Sequence, residues 1–269
     1  MTTQEKIDYI VGWLKSQLQM SGMKGFVVGV SGGIDSAVVS TLCAKTGFPT
    51  LVVKMPIHKG GMDAFDDSYM RAGYHSIKLE ENFKNVERLI IDLSQTYNNF
   101  KDLFHDNNTT EMALVNSKAR LRMTALYQLS AARGYLVAGT GNKVEDFGVG
   151  FFSKYGDGGV DISPIADLYK SEVYELGREL GVSKEILEAT PTDDLWDDKR
   201  SDEQQIGATY AELENIMEKL NVDNKKPSDI FNNMTERELQ VMDIYSKHRN
   251  KNMHKMVPIP VCKLPKEKQ

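Results

Sequence analysis

Apolar residues recur at Ile7, Ile10, Val11, Leu14 and Leu18, the spacing of one helical face, and Ser21-Gly22 closes that pattern. Phe26–Val30 follows as a short β-branched run suited to a strand buried on both faces, and it leads through Ser31-Gly32-Gly33 into an apolar-periodic segment, Ala37–Ala44. After the Gly47-Phe48-Pro49 break, Thr50–Met55 reads as a second buried strand. A short helix is expected between Asp63 and Ala72, a third strand over His75–Leu79, and a helix over Val86–Leu93. The polar segment Tyr97–Thr110, with four asparagines, is the least ordered-looking part. Glu111–Arg133 is a long helix and Tyr135–Gly139 a further buried strand.

The second half changes character. A glycine-dense loop runs over Lys154–Asp161, a helix over Lys170–Leu180 stops at Gly181, and Pro191–Ser201 is an acidic loop. Ser201 with Gln204, and Thr235 with Glu238, have capping-box spacing and mark two helix starts. The chain beyond about 205 reads as mainly helical and ends in an extended, proline-containing tail. Strand and helix alternating at this spacing predict an α/β fold with a mostly parallel, doubly wound sheet of about five strands and a C-terminal helical portion. Ligands in such folds sit at the carboxyl ends of strands.

Composition narrows the class. The 269 residues fit one domain, with an N-terminal helix over 4–20, an α/β core over about 24–200 and a helical portion over about 201–260. A net charge of −5 argues against a nucleic-acid carrier. Cys43 and Cys262 have no metal-site spacing, and Cys43 reads as a core residue. With neither a signal-peptide pattern nor a long apolar run, a cytoplasmic protein off the membrane is expected.

The candidate chemistry centres on Phe26–Ser36. Strand, paired glycines and helix start make a phosphate cradle, formed here by Gly29, Val30, Ser31, Gly32, Gly33, Ile34, Asp35 and Ser36. The loop lacks the lysine of a P-loop and the glycine spacing of a dinucleotide fingerprint. It carries Asp35 instead, and a carboxylate facing phosphates implies a bridging hard cation, Mg2+. Thr140 and Glu145 follow the strand ending at Gly139, where a hydroxyl and a carboxylate suit nucleotide and metal, or else a helix cap and a solvated acid. Lys170 begins a helix, where the dipole disfavours a cation unless an anion lies near. Arg120 and Arg122 project about 200° apart from one helix, so both cannot face one ligand, and periodicity does not choose between them.

The stretch 31–36, SGGIDS, resembles the pyrophosphate loop of the N-type ATP pyrophosphatases. Together with KARLRM (118–123), AGTGNKVE (138–145), SKYGDGGVD (153–161), LYK (168–170), PTDDLW (191–196) and MHKMVP (253–258), it resembles the ammonia-dependent NAD+ synthetases over nearly the whole chain. The resemblance implies an adenine nucleotide α-hydrolase-like fold and an ATP-dependent amidation of deamido-NAD+ through an adenylated carboxylate. It places ATP on residues 29–36 with Thr140, Lys170 and Thr192, and Mg2+ on Asp35 and Glu145. It places deamido-NAD+ on Arg120 rather than Arg122, with Lys154, Asp161, His254 and Lys255, and ammonia near Asp157. Asp157, Asp161 and Lys170 are then the catalytic candidates. Asp193 stands where many relatives have a small residue. A homodimer is implied, and with only about 25 residues before the first strand, free ammonia rather than a glutaminase domain is the expected nitrogen source. The competing expectations are a tRNA-modifying enzyme of the same superfamily, which would want a basic surface, and a nucleotide-binding module, which would not need the KYGDGG loop.

Overall fold

A computed structural model describes residues 1–58, 67–104, 109–192, 201–221 and 234–264. Four strands lie parallel in the order β3-β2-β1-β4, with β1 at Gly25–Gly29, β2 at Thr50–Lys54, β3 at Val86–Ile90 and β4 at Tyr135–Val137. Val27 of β1 sits opposite Leu51 of β2 and Val137 of β4, which fixes the central register. Successive β1 side chains enter opposite cores, as a strand covered on both faces requires. Phe26 and Val28 pack with α1 (Thr3–Ser21), α2 (Ile34–Lys45) and α6 (Lys170–Glu179). Val27 packs with Leu51, Val53 and the Leu121, Ala125, Leu126 and Leu129 face of α5 (Glu111–Arg133). Cys43 is a free, fully buried thiol within the first of these cores.

The sheet differs from expectation in one exchange and in its count. His75–Leu79 is not a strand but part of α3 (Asp67–Asn82), whose buried residues Ala72, His75, Ser76 and Leu79 follow helical spacing. Val86–Ile90 is not a helix but edge strand β3, pairing Val86 with Thr50 and Ile90 with Lys54. Its apolar positions fit either period, and pairing to β2 decides. Among the described residues the sheet therefore has four strands rather than about five; an isolated parallel bridge between Ala138 and Ile162 continues it beyond β4. The segment expected to be least ordered begins inside α4 (Ser94–Asp102), which buries Tyr97; residues 105–108 lie outside the described residues. Residues 63–66 and most of the acidic loop, Asp193 included, also lie outside them.

The C-terminal portion is helical as expected. Capping boxes open α8 (Asp202–Ile206) at Ser201 and Gln204, and α10 (Glu236–Met256) at Thr235 and Glu238. Helix α7 (Lys184–Leu187) precedes them, and α9 (Tyr210–Leu220) lies between. Leu213, Ile216, Met217, Val241 and Tyr245 form one core with Val144 and Val149 of a π-helical turn, Val144–Val149. That turn follows β4 directly, so the helical portion is packed against a carboxyl-end loop of the sheet.

Leu213 is fully buried in this core. Leu213→Ala is expected to cost about 2–5 kcal/mol in chemical denaturation. One transition reported alike by near-UV and far-UV signals would show the helical portion unfolding with the sheet; two separated transitions would contradict that.

Candidate active site

At the carboxyl end of β1 the chain turns within Ser31-Gly32-Gly33 and enters α2. Gly32 has φ +91°, and a Cβ there would stand 2.3 Å from the Ser68 carbonyl oxygen of α3, so both backbone angle and packing demand glycine. The Ser31 hydroxyl accepts from Gly33 N–H at 3.2 Å, and the Ser36 hydroxyl accepts from Ser31 N–H at 3.2 Å while donating to the Gly33 carbonyl at 3.0 Å. Gly33 offers α2 no side-chain cap, which leaves first-turn N–H groups for an anion. Val30 and Ile34 point into the core, so only their backbones belong to the cradle.

The first turn of α2 and the π-helical turn converge on the ammonium group that opens α6. Lys170 Nζ donates to Asp35 Oδ2 at 2.5 Å and to Glu145 Oε1 at 3.1 Å, with its side chain 4% exposed. Burial pulls the lysine's pKa down, but the two carboxylates outweigh it and hold the group protonated, above its ordinary value. Burial raises Asp35, an effect that Lys170 partly offsets. The helix-start lysine thus has its compensating anions from the protein itself.

Two residues that sequence reasoning did not single out fix this arrangement. Asn142, fully buried, donates from Nδ2 to Asp35 Oδ1 at 3.2 Å and accepts from the Val144 and Glu145 N–H groups. Tyr210 of α9 donates its hydroxyl to Glu145 Oε1 at 2.6 Å. Asn142 lies inside the GTGNKVE motif, two residues before the turn; Tyr210 carried no sequence signal. Beside them, burial pushes Asp146 up to about 8, with Glu145, Asp157 and Asp35 adding to the shift. A Cβ on Gly141 would fall 2.2 Å from the Asp146 carboxylate, so this glycine admits the acid.

Asp157 raises the acid excess further. Its side chain is solvent-exposed at the surface of the glycine-dense loop. Desolvation there pushes it up to about 6, even though its Oδ1 accepts from the Ser153 N–H at 2.9 Å. Asp146 and Asp157 thus add carboxyl groups beside Glu145, and Lys255 is the cation that faces Asp157. Among the described residues no group of three metal-ligating side chains forms.

The sequence profile of the NAD synthase family matches residues 6–258. The chain belongs to that family. It is 42% identical over 228 residues to an NH(3)-dependent NAD(+) synthetase of Alkaliphilus oremlandii, covering 80% of this chain and 85% of that protein. It is 38% identical over 221 residues to the one of Mesoplasma florum, covering 80% and 84%. Among solved structures, NMN synthetase from Francisella tularensis superposes with a TM-score of 0.82 at 31% identity, covering 98% of this chain and all of that one. The NH3-dependent NAD synthetase from Campylobacter jejuni superposes with a TM-score of 0.76 at 25% identity.

The remaining candidates fall into two groups around the family's loops. Arg120 Nε donates to the Lys154 carbonyl at 3.2 Å, and Lys154 Nζ donates to the His254 carbonyl at 2.5 Å, so these three adjoin. Arg122 turns away to the Met55 carbonyl at 3.1 Å, a geometry that helix periodicity left open. His254 and Lys255 lie in the last turn of α10 rather than in the extended tail. Lys255 Nζ donates to the Gly150 and Phe152 carbonyls at 3.0 and 2.7 Å, and burial lowers its pKa. Asp161 is set apart: its carboxylate accepts from Val137 N–H at 2.8 Å and Tyr127 O–H at 2.9 Å, capping edge strand β4. Thr140 is half-buried just past β4, and Thr192 ends a described stretch whose Pro191 carbonyl accepts from Asp202 N–H at 3.1 Å.

Lys170→Met should cost about 3–5 kcal/mol at neutral pH, because it strands two carboxylates in a buried site. Burial already raises Asp35, and without the lysine's offset it would titrate higher still in the folded than in the unfolded chain. The cost of keeping it ionised is full above the folded value and absent below the unfolded one, so the deficit should shrink on acidification from neutrality toward about pH 4. Chemical denaturation across pH checks this; a deficit independent of pH would contradict the ion-pair reading.

Proposed function

We propose that the protein is an ammonia-dependent NAD+ synthetase, catalysing the ATP-dependent amidation of deamido-NAD+, the last step of NAD+ biosynthesis, with AMP and pyrophosphate as the other products. The observation that carries this is the meeting of Asp35 and Glu145 on Lys170, 2.5 and 3.1 Å away, beside the uncapped start of α2. Phosphates on the cradle and a cation on the two carboxylates are what departure of a pyrophosphate requires.

The α2 N–H groups and the Ser31–Ser36 hydroxyl pair hold the polyphosphate, and Lys170 is the protein's own cation at that end of the site. Thr140 and Thr192 complete the nucleotide side. Arg120, Lys154, His254 and Lys255 receive the dinucleotide, and Asp161 shapes that end through β4. The nicotinate carboxylate oxygen then attacks the α-phosphorus, and the bond to the β-phosphate breaks with pyrophosphate keeping its electron pair. Asp35 and Glu145 are the hard-oxygen pair that would hold Mg2+, which when bound would supply charge neutralisation on the phosphates. Ammonia next displaces AMP from the acyl carbon. Asp157, ionised above about pH 6, attracts ammonium and accepts the proton released as the amide forms.

The similarity to an NMN synthetase favours a second reading at the same chemistry, with the mononucleotide acid as acceptor. We also read the protein as a single-domain, cytoplasmic homodimer, acting without nucleic acid; among the described residues no helix is long and apolar enough to cross a membrane.

The assay is ATP, Mg2+ and ammonium with either deamido-NAD+ or nicotinate mononucleotide, followed for amide, AMP and pyrophosphate. The higher kcat/KM is expected for the dinucleotide; preference for the mononucleotide would overturn that acceptor. Asp157→Asn should slow amide and AMP formation together about a hundredfold, while the first-turnover release of pyrophosphate persists. At fixed free ammonia the wild-type rate should fall below about pH 6 as Asp157 protonates, and the variant should lose that limb. A variant with an unchanged profile would remove Asp157 from the ammonia step.

A further inference from the structure

Helix α3 lies directly on the phosphate cradle. Its Ser68 carbonyl abuts the Gly32 Cα, Ala72 N stands 3.1 Å from where a Gly32 Cβ would be, and Arg71 Nε donates to the Gly32 carbonyl at 3.1 Å. Deeper in, His75 Nε2 and the Ser40 hydroxyl of α2 are 2.9 Å apart, which ties α3 to the helix the cradle opens. Arg71 is half-buried, and among the described residues its guanidinium has no other hydrogen-bond or ion-pair partner than Gly32.

This matters because the cradle is poor in net positive charge. Lys170 is already shared between Asp35 and Glu145. A triphosphate chelated to one divalent cation still carries negative charge, and its departing pyrophosphate gains more as the bond to the α-phosphorus breaks. A guanidinium anchored through Nε keeps both terminal nitrogens as a planar fork, the geometry that suits two phosphate oxygens. We propose that Arg71 holds the terminal phosphates of ATP and stabilises the departing pyrophosphate, with its Nε–Gly32 bond fixing the fork at the cradle's edge. No proton moves: the arginine stays charged throughout, and pyrophosphate leaves with the electron pair of the broken bond. The inference rests on the ATP-cleaving reading above and adds a residue to it.

Inorganic pyrophosphate with Mg2+, titrated calorimetrically into the full chain, is the probe. Arg71→Gln keeps a donor for the Gly32 carbonyl but loses the charge, and Arg71→Lys keeps a charge without the fork. Arg71→Gln should weaken pyrophosphate binding about tenfold or more, with Arg71→Lys intermediate, the melting temperature nearly unchanged and the KM for deamido-NAD+ unaffected. Binding within about twofold of wild type in Arg71→Gln would overturn the inference, as would equal loss in both variants with a lowered melting temperature, which would mean that Arg71 only shapes the loop. Absent pyrophosphate binding by the wild type would also overturn it. Arg71-dependent pyrophosphate binding in a protein that makes no amide would instead refute the functional reading and leave this one standing.

Discussion

One buried ammonium organises this structure. Asp35 opens α2, Glu145 sits in a π-helical turn after β4, and Lys170 opens α6; without the lysine, two carboxylates brought this close would repel in a poorly solvated place. Such a pair contributes little net stability compared with apolar packing, so its presence points to use rather than to folding. The same two carboxylates that satisfy Lys170 are the hard oxygens that a phosphate-bound cation needs. Protein cation and substrate cation would therefore share one acid pair, and Asn142 and Tyr210 keep that pair in place from behind.

The π-helical turn is itself held from the C-terminal helix. Arg249, Asn252 and Lys255, spaced along one face of α10, donate to carbonyls of Phe147, Gly148, Val149, Gly150 and Phe152. A π turn and its exit leave carbonyls that helical geometry does not satisfy, and these three side chains take them up. The contact joins the end of the site expected to hold the dinucleotide to the turn that carries Glu145. It also explains why the helical portion packs where it does: its core includes Val144 and Val149 of the same turn.

Much of this was legible from residue order. The phosphate cradle, the long helix Glu111–Arg133 and both capping boxes have strong local signatures, and local signatures survive folding. The exchange of strand and helix between 75 and 93 shows where they fail. Val86–Ile90 is amphipathic at either period, and only its pairing with Thr50–Lys54 makes it a strand. At the site, Asp35, Glu145 and Lys170 could be named from motifs, but their mutual contact is a tertiary fact. Tyr210 had no local mark because its role depends on α9 being docked. Arg120 and Arg122 likewise part only in the folded chain, where one meets the Lys154 carbonyl and the other the Met55 carbonyl.

The geometry has one chemical meaning that can be followed by an atom label. If the cradle expels pyrophosphate while the nicotinate carboxylate attacks the α-phosphorus, one carboxylate oxygen must leave with AMP when ammonia forms the amide. Turnover of deamido-NAD+ carrying heavy oxygen in that carboxylate, with mass analysis of the products, measures this directly. One labelled oxygen per AMP and none in pyrophosphate is the predicted result. Label in inorganic phosphate or pyrophosphate, or unlabelled AMP, would contradict an adenylated intermediate at this site.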